Sequence, residues 1–211
     1  MKEYNEYRGV EGLVMAEVET DNSEEYVAAN LEELSGVQSI AVAKSESSES
    51  HFYDNAARIV VDAEGADELT LVVSILANKT RAKIDGVDYD EQTDMIVNTP
   101  KKKKYFALGY IGEKTDGTQE INIFYKGKFS GGGETHNTKD DGTEATNVEY
   151  TYTAVHTTAK IHTKDGIAKT AKSIKVPVGT AVTAAKVFGD PAEGASVKPL
   201  TPDEIKALAS A

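Results

Sequence analysis

The segment VEYTYTAV, residues 148–155, alternates between two kinds of side chain. Tyr150 and Tyr152 fall on one face of an extended chain, whereas Glu149 and Thr151 fall on the other. This period of two is typical of a strand in an antiparallel sheet with one buried and one solvated face. The segment therefore predicts a sheet with the two tyrosines in its core.

Seven other segments share this character: they are short, rich in Val, Ile, Thr, Tyr and Phe, and bounded by turn residues. These are residues 12–18, 37–43, 57–63, 68–76, 104–111, 120–129 and 159–163. Eight such segments with turns between them are typical of a sandwich or barrel. We therefore predict a mainly β fold.

Helix signals are sparse and lie in two places. Residues 77–86 carry helix formers and end in Gly86, which suits the left-handed position just after a helix. Thr201 begins a capping box with Glu204, and Pro202 occupies the first helical position. We expect one short helix flanking the sheet and another at the C-terminal end.

The C-terminal part of the chain differs in composition from the rest. Between Gly166 and Pro199 it is rich in Ala, Lys, Val and Gly and poor in aromatic residues. Such a segment is expected to form a thin extension more than a second domain with its own core. We therefore divide the chain near Lys164, into a β domain over residues 1–164 and an extension over residues 165–211.

Composition and charge exclude several classes of protein. The 211 residues include no cysteine, which rules out disulfides and zinc-thiolate sites. Lys and Arg total 23 against 35 Asp and Glu, a formal charge of −12, which argues against wrapping nucleic acid by neutralising its phosphates. The one cationic run, residues 101–104, follows a proline and is expected to be a solvated loop.

Hydropathy argues against a membrane partner. The apolar run at residues 69–76 is far shorter than the roughly 20 residues that cross a bilayer. Met1 leads into a polar stretch instead of the apolar core of a signal peptide. We expect a protein that is made soluble and stays in the cell that makes it.

Two polar stretches stand apart from the predicted sheet. KSESSESHFYDN, residues 44–55, has no Gly, Pro or Asn-Gly pair to make a tight turn before Asp54 and Asn55, so we expect an arm that runs past the core. Its serines, His51 and Asp54 are close in sequence, but a Ser-His-Asp triad is defined by geometry in space, and no G-x-S-x-G motif occurs. Residues 130–147 form a loop far longer than the about 4–6 residues that usually join strands.

Several stretches together resemble one protein family. They are YRGVEGLVMAEV (7–18), ESSESHFYDN (46–55), EGADELTLVVSIL (64–76), KKYFALGYIGEKTDG (103–117), YKGKF (125–129) and ETHNTKDDGTEATNVEYTYTAV (134–155). In this order they resemble the major tail proteins of long-tailed phages, of the phi13 type. The last block is the most specific, and the resemblance ends at about residue 160.

The resemblance implies a fold, an assembly and a location. The subunit is expected to be a β-sandwich or barrel-like tail-tube fold that closes into six-membered rings, which stack into the tube through which the genome passes. Its expected partners are copies of itself and the tail-tip or initiator, tape-measure and tail-terminator proteins, while phage DNA crosses the lumen without specific binding. The expected location is the virion tail, and the host cytoplasm before assembly. No enzymatic activity, cofactor or metal is implied.

The two polar stretches then become candidate subunit interfaces, since short polar side chains can lie on another subunit without a deep pocket. The arm residues are Lys44, Ser45, Glu46, Ser47, Ser48, Glu49, Ser50, His51, Phe52, Tyr53 and Asp54. The loop residues are Gly131, Gly132, Gly133, Glu134, Thr135, His136, Asn137, Lys139, Asp140, Asp141, Gly142 and Thr143. We also expect an acidic lumen, with the cationic run facing outward or pairing with acidic residues of a neighbour.

Two alternatives use the same sequence differently. The residues of a metal-binding or enzymatic domain would be His136, Asp140, Asp141 and Glu144, or His156 and His162. The last two sit six positions apart, and hence on one face of an uninterrupted strand. Adjacent aspartates followed by glycine fit an ordinary turn better than a calcium loop. A carbohydrate- or receptor-binding β-sandwich would stack its ligand on aromatic rings, and the chain has no tryptophan.

Overall fold

Fourteen strands and three helices make up the described part of this computed structural model, which comprises residues 4–34, 36–138, 146–162, 167–189 and 199–210. The strands are β1 Tyr7–Asp21, β2 Tyr26–Glu33, β3 Val37–Ala43, β4 Glu46–Tyr53, β5 Ala56–Glu64, β6 Asp67–Val73, β7 Asp88–Asp90, β8 Met95–Val97, β9 Phe106–Lys114, β10 Gln119–Gly131, β11 Val148–Ala154, β12 Lys160–His162, β13 Ala168–Thr170 and β14 Ser173–Pro177. The helices are α1 Asn78–Asp85, α2 Ala184–Phe188 and α3 Pro202–Ser210. The prediction of a mainly β fold is confirmed.

One large antiparallel sheet dominates the fold. Its strand order is β2-β1-β9-β10-β11-β6-β3, and β14 pairs with β10 beside this path. Three separate two-stranded sheets are formed by β4 with β5, β7 with β8 and β12 with β13. Since β2 and β3 end the order and no pairing between described strands joins them, the sheet is open and does not close into a barrel.

The central strands of the sheet are buried on both faces. In β1, Leu13 and Met15 belong to one apolar cluster, whereas Val14 and Ala16 belong to another. Runs of consecutive buried apolar residues are typical of strands that are covered on both sides. The large sheet therefore separates two cores.

The first core lies between the central strands and the pair β6 and β11, so the sheet curls around it. Tyr150 and Tyr152 are both buried there, as the alternation of their strand predicts. The Tyr152 hydroxyl donates to the carbonyl of Phe106 at 2.7 Å, and its ring lies 5.0 Å from that of Phe129. A hydrogen bond and edge-to-face contacts of this kind fix buried tyrosines in place.

The second core is covered by the C-terminal part of the chain. Val187 and Phe188 of α2 and Ile205 of α3 pack there against the central strands. A side chain at Gly109 would place its Cβ 2.3 Å from the Phe188 ring, so α2 sits directly on β9. The residues predicted to be a thin extension thus add β14 to the large sheet and line its second core, and the predicted boundary at Lys164 lies outside the described residues.

Both predicted helices are present. α1 ends at Gly86, whose φ of 67° is the left-handed conformation expected from the sequence. At α3 the Glu204 carboxylate accepts from the Thr201 amide at 2.7 Å, and the Thr201 hydroxyl accepts from the Glu204 amide at 3.5 Å, as in a capping box. The five-residue helix α2 has no counterpart in the sequence prediction.

Candidate subunit interface

The predicted arm is one strand of a β-hairpin that stands outside both cores. β4 and β5 pair from Glu46 opposite Glu64 to Tyr53 opposite Ala56. Asp54 and Asn55 turn the chain with φ angles of 51° and 61°, a conformation that Asp and Asn tolerate better than most residues. Every residue of β4 is exposed, as expected of a segment beyond the core, but the partner strand β5 was predicted without this pairing.

The hairpin exposes large apolar side chains on both of its faces. They are Phe52, Tyr53, Ile59, Val60 and Val61. Val60 points to one face of β5 and its neighbours Ile59 and Val61 to the other. A lone two-stranded ribbon is marginally stable in water, and clustered exposed apolar residues are typical of contact surfaces. These side chains make the hairpin the strongest candidate interface among the described residues.

A buried lysine clamps the root of the hairpin to the C-terminal part of the chain. The Lys172 ammonium lies 2.6 Å from the Glu64 carboxylate and 3.0 Å from that of Asp67, and it donates to the carbonyl of Gly65 at 2.9 Å. The Ser45 amide donates to Asp67 at 3.4 Å, which ties the other strand to the same carboxylate. The clamp therefore fixes the direction in which the hairpin leaves the sheet.

The electrostatics of the clamp favour its charged form. Burial of Lys172, whose side chain is 4% exposed, lowers the pKa of its ammonium, but hydrogen bonds and charges from Glu64 and Asp67 outweigh this and raise the net pKa. The hydrogen bond from Lys172 and its charge hold the pKa of the Glu64 carboxyl below its ordinary value. Lys172 is thus cationic at neutral pH in spite of its burial.

The residues that suggested a triad lie along the outer half of the same hairpin. His51 is exposed and opposite Ile59, whereas Asp54 is in the turn. Ser50 precedes His51 in an extended strand, so their side chains leave opposite faces. This part of the structure does not bring the three side chain types into one cleft.

The long loop is described over residues 130–138 and 146–147. Gly131 ends β10, and the Glu134 carboxylate lies 2.6 Å from the Arg81 guanidinium of α1. His136 Nε2 lies 3.4 Å from the other oxygen of Glu134. Of the candidate loop residues, five lie outside the described part of the chain: Lys139, Asp140, Asp141, Gly142 and Thr143. The expected ordering of this loop between subunits stays a prediction.

The histidines singled out for metal binding lie apart. β11 ends at Ala154 and β12 begins at Lys160, so the uninterrupted strand that this alternative needs to align His156 with His162 is absent. His156 is 3.5 Å from Glu64 beside the clamp, whereas His162 is 3.2 Å from Asp203 of α3. No group of three or more metal-ligating side chains occurs in the described ranges, and Asp140, Asp141 and Glu144 lie outside them.

The cationic run is a loop, as predicted, but its lysines contact groups of their own chain. Lys101 lies 3.6 Å from Asp85, and Lys104 lies 2.5 Å from Glu17. Lys103 donates to the carbonyl of Phe129 at 2.7 Å, and burial lowers its pKa. The expected pairing with a neighbouring subunit is therefore not needed to neutralise this run.

The two strands that end the order of the large sheet have open edges. β2 and β3 each pair with a single neighbour among the described strands, and neither contains a proline. Unblunted edges of seven or eight residues are templates for further strand pairing. The hairpin and these edges together form the candidate interface.

In the described part of the chain, no helix is long and apolar enough to span a membrane. No protein-family model matches the chain, and no curated protein is significantly similar to it.

Proposed function

We propose that this chain is a structural subunit that associates with copies of itself into stacked rings, forming the tail tube of a long-tailed phage. The sequence resemblance over residues 7 to about 160 suggests this function. A mainly β subunit with one open antiparallel sheet is compatible with it. The observation that carries the proposal is the exposed hairpin of β4 and β5.

The hairpin is built for contact with another molecule. It exposes five large apolar side chains, and its root is held by the contacts of Lys172 with Glu64 and Asp67. A rigid projection avoids part of the entropy cost of ordering a flexible arm on binding. A subunit that must join identical neighbours in a fixed geometry benefits from such a projection.

The open sheet edges supply a second kind of contact. A ring is a closed arrangement in which each subunit presents one edge of its sheet to the next, so the exposed backbone groups of β2 or β3 become paired. Assemblies of this kind bury on the order of 2,000 Å² or more per contact. Ring closure would therefore remove the aggregation hazard that the isolated subunit carries at its edges.

The charge of the chain fits a conduit for DNA. Each subunit carries a formal charge of −12, and three of the four lysines in the cationic run contact acidic or carbonyl groups of the same chain. An acidic wall repels the phosphate backbone and keeps a water layer between wall and duplex. DNA would pass without specific binding, and the tail-tip, tape-measure and tail-terminator proteins would be the other partners.

Removing the hairpin tests the proposal. Glu46 and Glu64 are directly opposed, so residues 47–63 can be replaced by a two-residue Asn-Gly turn that leaves Glu64 and the clamp in place. The shortened protein is expected to keep its folded circular dichroism spectrum and thermal transition, yet to form no tubes in negative-stain microscopy. The Gln92→Ala variant, a change at an exposed turn residue outside the hairpin and the sheet edges, is the control, with normal tubes expected. Tubes of normal length from the shortened protein would contradict the proposal.

A further inference from the structure

The strands β3, β6 and β11 are neighbours in the large sheet, and one of their two faces is solvated. Their opposite face carries Leu69, Leu71, Tyr150 and Tyr152 into the first core. On the solvated face, which we call the wet face, all side chains are exposed or half-buried. The strand registers align them in three rows of three: Ser39, Val72 and Glu149; Ala41, Thr70 and Thr151; Ala43, Glu68 and Thr153.

The wet face contains no cationic side chain. The three strands, of seven residues each, include no Lys or Arg, although the chain has 23. Two carboxylates, Glu68 and Glu149, project from a surface that otherwise consists of Ser, Thr, Ala and one Val. On the neighbouring strand β10, Lys128 stands opposite Thr153, but its ammonium lies over the Tyr105 ring, 4.3 Å from the ring centre. The wet face is therefore level and acidic.

The proposed contacts between subunits lie at the margins of the wet face. β3 borders it and is also an open edge of the sheet, so a strand of another copy that pairs with β3 would lie in the plane of the sheet. Such pairing prolongs the wet face and does not cover it. The hairpin leaves from the end of the same strands, since two residues separate β3 from β4 and two separate β5 from β6.

We propose that the wet face of β3, β6 and β11 lines the lumen of the tube and faces the DNA. A duplex carries one negative charge about every 1.7 Å and is held by Lys and Arg, so a wall without cations does not retain it. Glu68 and Glu149 repel the phosphates and keep water between wall and duplex. The central strands β1 and β9 cannot supply this wall, because their side chains enter one core on each face. The inference rests on the proposed tube function and names the surface that meets the DNA.

Cysteine labelling of assembled tubes tests this position, because the natural chain has no cysteine. Thr70→Cys lies at the centre of the wet face, and Gln92→Cys, in an exposed turn, is the control. N-Ethylmaleimide is expected to label both variants in tubes. A maleimide on a polyethylene glycol chain too large to enter the tube should label both free subunits. In tubes it should still label Gln92→Cys, whereas the labelling of Thr70→Cys should be lost.

Lysines placed on the wet face test its chemistry. Thr70→Lys combined with Thr151→Lys adds two cations to one row, and Gln92→Lys combined with Thr93→Lys adds the same charge to the exposed turn. Tubes of each variant are incubated with a short fluorescent DNA duplex at low salt and sedimented. The wet-face variant should retain about tenfold more duplex than natural tubes, and added salt should release it. The turn variant should retain as little duplex as natural tubes.

The outcomes separate this inference from the proposed function. If tubes form and the large maleimide labels Thr70→Cys as fully as Gln92→Cys, the wet face lies on the outside and the inference is wrong, while the tube function stands. If neither maleimide labels Thr70→Cys in tubes, another subunit covers the wet face, which overturns the inference alone. Equal duplex retention by the two lysine variants would show that the wet face does not meet the DNA. If the natural protein forms no tubes, the proposed function fails and the inference fails with it.

Discussion

Replacing Lys172 by methionine should destabilise the subunit, because it leaves the buried Asp67 carboxylate without its cation. Methionine keeps the length and the apolar stem of the side chain but removes its charge. The Asp67 side chain is 8% exposed, and among the described residues its carboxylate would then keep only the Ser45 amide, at 3.4 Å, as a partner. The Glu64 side chain is 57% exposed, so water screens its charge, and losing Lys172 as a partner there should change the free energy of unfolding little.

The magnitude follows from the burial of the pair. Removing one member of a buried ion pair costs about 3–5 kcal/mol, and we take the lower end, about 3 kcal/mol, because Asp67 keeps the Ser45 amide as a partner. For a chain of this size, each kcal/mol shifts the thermal midpoint by roughly 2–4 °C, so we expect a drop of roughly 6–12 °C. Adding Asp67→Leu removes the stranded charge and should recover about 2 kcal/mol.

The assay is urea denaturation of the two single variants and the double variant at low protein concentration, followed by circular dichroism. Hydrogen exchange of the β4 and β5 amides reports separately whether the hairpin loosens, as the loss of its clamp should cause. Two results would refute the reasoning: Lys172→Met within 1 kcal/mol of the natural protein, or single effects that simply add in the double variant.

Three further predictions concern other parts of the molecule. Burial of Asp21 raises the pKa of its carboxyl, but hydrogen bonds from the Lys126 ammonium at 2.5 Å and from the amides of Thr158 and Ala159 outweigh this and lower the pKa overall. Asp21→Asn should therefore lower the free energy of unfolding by about 2–3 kcal/mol at pH 7. Since the pKa of Asp21 is depressed in the folded state, the stability difference between the two proteins should shrink as the pH falls below about 3.8 and through the folded-state pKa. Urea denaturation of both proteins at a series of acidic pH values would show this. Gly109→Ala should cost about 1–3 kcal/mol in thermal unfolding, because its Cβ would lie 2.3 Å from the Phe188 ring, and an unchanged midpoint would mean that α2 does not sit on β9. His51→Ala should stay within about 0.5 kcal/mol of the natural protein, and any ester or peptide hydrolysis that this change abolishes would contradict a non-catalytic hairpin.

The sequence predicts those parts of the fold in which the side chains alternate. Every segment chosen for period two or for Val, Ile and Tyr content overlaps a strand, including β11, whose tyrosines are buried as expected. β4 was missed because ESSESHFY contains six polar residues and its pairing depends on β5 and on the turn at Asp54 and Asn55. A ribbon held by backbone hydrogen bonds leaves little hydrophobic signal in its sequence.

The C-terminal packing could not be predicted from composition. Val187 and Phe188 lie in a helix of five residues, too short for a recognisable period, and β14 finds its partner only because β10 has a free side there. Such contacts are decided by tertiary structure more than by local propensity.

The two buried polar residues Lys172 and Asn122 differ in whether the sequence alone could have singled them out. Lys172 has no local signal, since its carboxylate partners are more than 100 residues away along the chain. Asn122 does have one: an amide stands at an alternating core position of the strand EINIFY, where an apolar residue is expected. A polar residue that breaks the pattern of a buried strand is thus visible in the sequence, whereas its contacts are not.

Negative-stain microscopy of the purified, concentrated protein tests the central claim most directly. The account predicts rings that stack into tubes, at millimolar protein concentration or when a tail-tip complex is added, and no tubes from the variant in which residues 47–63 are replaced by Asn-Gly. A natural protein that stays strictly monomeric at millimolar concentration, with no tubes even in the presence of the tip complex, would contradict it.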